Sequence, residues 1–169
     1  MSALDRMRGL FGGREQPISA PEPVTLQPIG FVRSRLRDLR YRDTSGERAS
    51  ILVLDTYAAA LAGLEGFSHA FVLTWLDRVT EEQRGTLAEH PGGDPSLPQI
   101  GVLALRTHHR PNPIGVTVVR IAGLEGARLE VIGLDAADGT PVLDIKPYLP
   151  PYDSVPDASL PRWATGDGA

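Results

Sequence analysis

Ile114–Ile121 (IGVTVVRI) and Arg128–Leu134 (RLEVIGL), parted by Gly123-Leu124-Glu125-Gly126, decide the fold. Both runs are rich in β-branched residues, and the glycine-bounded turn between them predicts an antiparallel hairpin. Upstream, Phe67–Leu76 (FSHAFVLTWL) carries apolar residues on both strand faces and reads as a core strand. Ala49–Thr56 (ASILVLDT), Ile100–Leu105 and Pro141–Ile145 also read as strands, and Val24–Val32 alternates loosely around Leu26, Ile29 and Phe31 as a first strand. Helix is scarce: alanine-rich Tyr57–Leu64 predicts a helical turn, and Glu81–Glu89 a short helix before a Gly/Pro loop. About six strands and little helix predict an all-β barrel or sandwich. GxGxxG and Walker patterns are absent, so a doubly wound nucleotide fold is not expected.

The bulk composition agrees. A chain of 169 residues buries one core, and 18 Gly with 15 Pro suit short strands joined by tight turns. With no cysteine there is neither a disulfide framework nor a thiolate zinc site. No apolar run approaches the roughly 20 residues that span a bilayer. Met1–Gly13 carries Asp5, Arg6 and Arg8 without an apolar stretch and does not read as a signal peptide, so a cytoplasmic protein is expected. The net charge of −4 argues against a generic nucleic-acid binder and leaves any RNA contact to a local patch. Residues 1–23 read as a flexible N-terminal arm, 24–155 as the folded domain and 156–169 as an irregular tail. The pentapeptide AGLEG occurs at Ala62–Gly66 and at Ala122–Gly126, but nothing around it repeats, so no repeat architecture follows.

Two polar segments interrupt the apolar strands. Arg106–Gly115 (RTHHRPNPIG) cannot be regular, because Pro111 and Pro113 each remove a donor and restrict the residue before them. Leu134–Tyr148 (LDAADGTPVLDIKPY) contains the Asp138-Gly139 turn signal. Prolines leave little ordering entropy to lose on binding, and Gly115 and Gly139 admit close approach of backbone to a ligand. By composition alone the first is a stiff connection with solvated arginines and the second is turn chemistry. His69 in an apolar strand reads as a core histidine, and Trp75 as core. Adjacent His108 and His109 point to opposite faces of an extended segment and no third ligand is evident, so no metal is expected.

These segments resemble the TsaA-like family of TrmO-type, S-adenosylmethionine-dependent tRNA methyltransferases. The matching stretches are Pro28–Ser34 (PIGFVRS), Gly63–His69 (GLEGFSH), Arg106–Gly115 and Leu134–Pro150, within about Gln27–Asp153. The resemblance implies a small single-domain β-barrel with one or two short helices. It implies a homodimer that binds S-adenosyl-L-methionine near the subunit interface and methylates N6 of threonylcarbamoyladenosine beside the tRNA anticodon. Carried over residue by residue, the cofactor-binding positions are Asp77, Arg78, Arg106, Val116, Asp135, Asp138, Gly139 and Thr140. Arg106 suits the cofactor carboxylate, and Asp135 or Asp138 its ammonium or ribose. A sulfonium is already a good leaving group, so catalysis needs mostly positioning and a proton acceptor, for which His69, Asp144 and Lys146 are candidates. Arg37, Arg40, Arg42, His109, Arg110 and Asn112 are the candidate acceptor contacts.

The chain departs from the family pattern in two places. Arg35–Arg42 (RLRDLRYR) stands where many relatives carry a Pro-Arg-Gln-type loop, and it reads either as a solvated face or as an RNA contact. Some relatives have a further C-terminal domain, whereas this sequence stops soon after Pro161-Arg162-Trp163, so a chain without that domain is expected. Two alternatives therefore stand beside the tRNA reading: methylation of a small molecule, favoured by the acidic charge, and a non-catalytic S-adenosylmethionine-binding module, favoured by the lack of an obvious partnered base.

Overall fold

The computed structural model describes residues 22–37 and 43–164. Its strands are β1 (Gly30–Ser34), β2 (Arg48–Val53), β3 (His69–Trp75), β4 (Ala88–Glu89), β5 (Ile100–Gly101), β6 (Ile114–Glu125), β7 (Arg128–Ile132) and β8 (Pro141–Pro147). Six of them close into a barrel in the order β1-β2-β7-β6-β3-β8, with β8 back against β1, while β4 and β5 form a separate ribbon. All pairings are antiparallel. Closure leaves no unpaired barrel edge.

The bore is filled rather than open. Val32, Ala49, Ile51, Val53, Ala70, Val72, Val119, Leu129, Val131 and Val142 alternate into it and form one core with Leu61, Leu134 and Ala136. Short β-branched side chains suit so narrow a barrel, and each buried valine adds about 1.5 kcal/mol or more of transfer free energy. Two β-bulges adjust the alternation. The β3–β8 register slips between Leu73 and Thr74, which pair with Asp144 and Val142. Leu143 is thereby left over, so Ile145 rejoins the core while Asp144 and Lys146 stay outside. A second slip sets Ile121 opposite Val131 but Gly123 opposite Glu130.

Several sequence expectations are corrected. The first strand starts at Gly30 rather than Val24, because Pro28 has no N–H to give. The expected Glu81–Glu89 helix stops after one turn, helix α1 (Glu81–Arg84), closed at its start by a Thr80/Gln83 capping box and ended at Gly85; Ala88–Glu89 then joins the ribbon. Of Ile100–Leu105 only the first two residues pair, and Val102–Ala104 forms a 3-10 turn with Leu103 exposed. The hairpin turn is Gly126-Ala127, two residues later than expected, with Glu125 opposite Arg128. A second helix, α2 (Pro150–Asp153), follows the barrel. No helix among the described residues is long and apolar enough to cross a membrane.

One mouth of the barrel gathers three loops. The antiparallel order brings there the ends of β1, β3 and β7 and the starts of β2, β6 and β8, and hence residues 35–37 and 43–47, the 76–113 excursion, and residues 133–140.

Two glycines make the packing possible. A Cβ on Gly30 would lie 2.4 Å from the Leu52 carbonyl oxygen, and one on Gly115 would lie 2.5 Å from Thr74 Oγ1. Gly115 therefore serves the contact with buried Thr74. Gly30→Ala meets fixed backbone and should cost about 2 kcal/mol in denaturant unfolding. Gly115→Ala should be similarly destabilising alone and substantially relieved by adding Thr74→Ala; an unrelieved double variant would contradict this packing.

Candidate functional site

The 138–140 turn is an extension of the β1–β8 seam. Val32 N–H donates to the Thr140 carbonyl (3.0 Å), Gly139 N–H to that of Val32 (2.9 Å) and Asp138 N–H to that of Leu36 (2.8 Å). Gly139 takes φ +86°, which explains the glycine. Asp138 Oδ1 accepts from Ser34 N–H (3.2 Å), and its carboxylate lies 3.9 Å from Arg33 and 3.3 Å from Arg37. Arg78 donates to the carbonyls of Arg37 (2.8 Å) and Asp138 (3.1 Å). The turn, the residues after β1 and those after β3 thus form one unit.

The HHRPNP loop is held from several sides. Arg106 donates to the Val116 carbonyl (2.7 Å), Leu76 N–H to that of Pro113 (2.8 Å) and Arg84 Nε to that of Pro111 (3.0 Å). The Arg84 guanidinium also lies 5.6 Å from the Trp75 ring centroid and 2.5 Å from Glu81. Arg110 turns back to the Leu105 and Thr107 carbonyls, both at 3.4 Å, and the exposed Asn112 lends its carbonyl to Ile114 N–H (2.7 Å). His109 Nδ1 bonds Glu89 on β4, and the His108 and His109 rings meet edge to face at 4.1 Å.

Burial pushes the Glu89 carboxyl up, but hydrogen bonds from Thr107 and His109 and the charge of both imidazoles outweigh it and hold it below the ordinary glutamate value. Burial, then the neighbouring His109, lowers His108, against the opposing pull of Glu89.

Two open clefts, of about 500 and 540 Å³, are each roomy enough for a nucleoside. The first is lined by Phe31, Arg33, Leu52, Val53, Leu54, Asp55 and Gly139. The second is lined by Asp43, Thr44, Ser45, His69, Thr117, Val118, Arg120, Ile132, Gly133 and Asp135.

Of the expected cofactor positions, Arg78 meets Asp138 beside Gly139 and Thr140, and Arg106 meets Val116. Asp77 is exposed just past β3, and Asp135 belongs to the second cleft. Of the base candidates, only His69 shares a cleft with one of these, Asp135. His69 opens β3 and lines the second cleft, with Nδ1 2.9 Å from Ser68 Oγ, while Asp144 and Lys146 pair with each other at 2.6 Å on the outer wall. Arg37 is at the mouth, whereas Arg40 and Arg42 lie outside the described residues. Sequence reading missed Glu89, Arg84, Phe31 and Asp55. Glu89 gave no signal, since its partner is 20 residues away across a ribbon that only the fold creates. Among the described residues no group of three or more His, Asp or Glu side chains is arranged to hold a metal ion.

The family model of the tRNA-methyltransferase O N-terminal domain matches residues 41–154. An S-adenosyl-L-methionine-binding protein of Archaeoglobus fulgidus is 39% identical over 139 residues, 78% of this chain and 94% of the relative. The tRNA (adenine(37)-N6)-methyltransferase of Escherichia coli K12 is 41% identical over 108 residues, 60% of this chain and 45% of that enzyme. The chain spans 37% and 61% of the length of two further curated relatives. A crystal structure of TrmO from Pseudomonas aeruginosa superposes with TM-score 0.65 at 35% identity, covering 81% of this chain and 61% of that one.

The Glu89 and His108 shifts act in one direction. The ordinary Glu89 value is 4.5 and the folded value is lower, so its contribution is present above pH 4.5 and lost as pH falls through the lowered value. The His108 contribution is likewise complete above 6.5 and fades on acidification. Thermal melts should show the advantage of the native chain over Glu89→Gln shrinking as pH falls; an advantage that stays flat from about pH 7 to about pH 3 contradicts the assignment.

Proposed function

Because the chain belongs to the family of the tRNA-methyltransferase O N-terminal domain, we propose that it is an S-adenosylmethionine-dependent methyltransferase acting on N6 of threonylcarbamoyladenosine near the tRNA anticodon. The observation that carries this reading is the joining of the HHRPNP loop and the DGTP turn at one mouth: Leu76 holds Pro113 and Arg78, two residues on, holds Asp138.

The residues present fit the methyl donor. Arg106 spends one of its five donors on Val116, leaving a fork for a carboxylate. Asp135 is exposed and able to accept from an ammonium or a ribose. Around Gly139 nothing lies within 4 Å of where a Cβ would stand, so backbone there is open to a ligand, beside the exposed ring of Phe31. Asp138 has its carboxylate in use at Ser34, Arg33 and Arg37, and its role is to fix the turn; a polar ligand group would exchange with the screened arginines. Asp77, Arg78, Val116 and Thr140 complete the proposed cofactor set. When bound, S-adenosylmethionine supplies an electrophilic methyl group on a sulfonium. Arg37, His109, Arg110 and Asn112 face the RNA acceptor in this reading, with local positive charge offsetting the acidic total.

A homodimer has a surface to use. On the β6–β3 outer wall Val116 and Val118 are 41% and 47% exposed, beside half-buried Phe71 and Leu73. The net charge of −4 favours a second reading, a small-molecule acceptor in place of RNA.

Calorimetric titration should detect S-adenosylmethionine binding, with Arg106→Ala weakening it roughly tenfold or more, the loss of one charge-assisted pair. Incubation with tRNA carrying threonylcarbamoyladenosine, followed by nucleoside mass spectrometry, should show a gain of one methyl group; binding without any tRNA methylation would reject the acceptor. Sedimentation should find a dimer that Val118→Glu dissociates, and an unchanged dimer would move the interface elsewhere.

A further inference from the structure

Nitrogen N6 of a carbamoylated adenine is amide-like: its lone pair is delocalised, so it attacks well only as its proton leaves. Other acceptors for that proton are poorly disposed. His69 lines the second cleft with no carboxylate among the described residues to orient it, its Nδ1 meeting Ser68 Oγ at 2.9 Å, and Asp144 is paired with Lys146 at 2.6 Å. Asp138 already accepts from Ser34.

Glu89 and His109 are different. Their side chains are 24% and 27% exposed, and they join the β4 ribbon to the HHRPNP loop. The carboxylate, held ionised, has no proton to give, so the bond to it fixes the proton of neutral His109 on Nδ1 and leaves the Nε2 lone pair available. Thr107 anchors the same group, accepting from His109 N–H at 3.2 Å. The groups facing this imidazole are Glu89 and the His108 ring at 4.1 Å, while Arg110, next in sequence, is turned to the Leu105 and Thr107 carbonyls. The loop that carries the pair is tied through Leu76 and Arg78 to the DGTP turn.

We propose that His109, oriented by Glu89, is the general base that removes the N6 proton of the acceptor, with Glu89 as its positioning residue; this rests on the methyltransferase reading above. As N6 forms its bond to the methyl carbon, the carbon–sulfur bond breaks and its electron pair stays on sulfur. The N6 proton passes to His109 Nε2, and the resulting imidazolium is stabilised by Glu89.

The test uses the full chain, S-adenosylmethionine and tRNA bearing threonylcarbamoyladenosine. Nitrogen-15 NMR should find His109 protonated on Nδ1 in the native protein and shifted toward the Nε2 form in Glu89→Met, a readout independent of turnover. His109→Ala should slow transfer by about 100-fold or more at unchanged S-adenosylmethionine affinity, and added imidazole should restore part of the rate. Glu89→Met should slow transfer less and move the acid limb of the kcat/KM profile to lower pH. An Nε2-protonated His109 in the native protein overturns the proposal. So does native-level transfer by His109→Ala, or a loss that imidazole does not restore while the cofactor still binds. If the native protein binds S-adenosylmethionine but methylates no tRNA at any pH, the acceptor reading fails and the role of the pair falls with it; normal native transfer with an unaffected His109→Ala overturns the pair alone.

Discussion

Closure of β8 onto β1 is the constraint on which the remaining structure depends. The seam has two paired positions, Gly30–Val142 and Phe31–Pro141, far shorter than the β3–β6 ladder. It is lengthened by backbone bonds outside the strands: Ile29 at one end, then Val32, Leu36 and the 138–140 turn at the other. The ion pairs there are secondary. Arg33 and Arg37 are 58% and 83% exposed, and such screened pairs contribute at most about 1 kcal/mol. Backbone bonding and the φ of Gly139 therefore hold the turn, and the arginines stay available to exchange partners. The same few residues close the barrel and shape its mouth.

The HHRPNP loop answers the same need with different chemistry. Prolines fix its dihedrals and remove donors, so its carbonyls must find partners elsewhere. Leu76, Arg84 and Ile114 supply them, and the Arg84–Trp75 contact adds about 0.5–1 kcal/mol at an exposed site. Rigidity of this kind lets a side chain such as His109 be held in one orientation by a single carboxylate.

The bulges show how backbone register selects which chemistry faces out. In β8 the apolar residues that reach the core, Val142 and Ile145, are three apart, a spacing that strict alternation forbids. The bulge at Leu143 reconciles them and leaves Asp144 and Lys146 together on the wall. In β6 the pair Ile121 and Leu124 repeats the pattern around Ala122.

The amino-acid order alone specified the Ile114–Ile132 hairpin, the β3 strand and the irregularity of HHRPNP, because β-branching, alternation and proline act through local geometry. It also carried the two long segments by which the family is recognised. Local order did not decide the fate of apolar Ile100–Leu105: with six strands already closing the barrel, only Ile100–Gly101 found a partner, in β4, and Val102–Ala104 turned away. The two copies of AGLEG make the same point. One ends in a 3-10 turn after Gly63 at φ +91°, and the other lies almost wholly within β6, because only the second has β7 beside it. The Glu89–His109 pair was likewise settled by tertiary structure, since a hydrogen bond across 20 residues exists only once the ribbon and the loop are folded against each other.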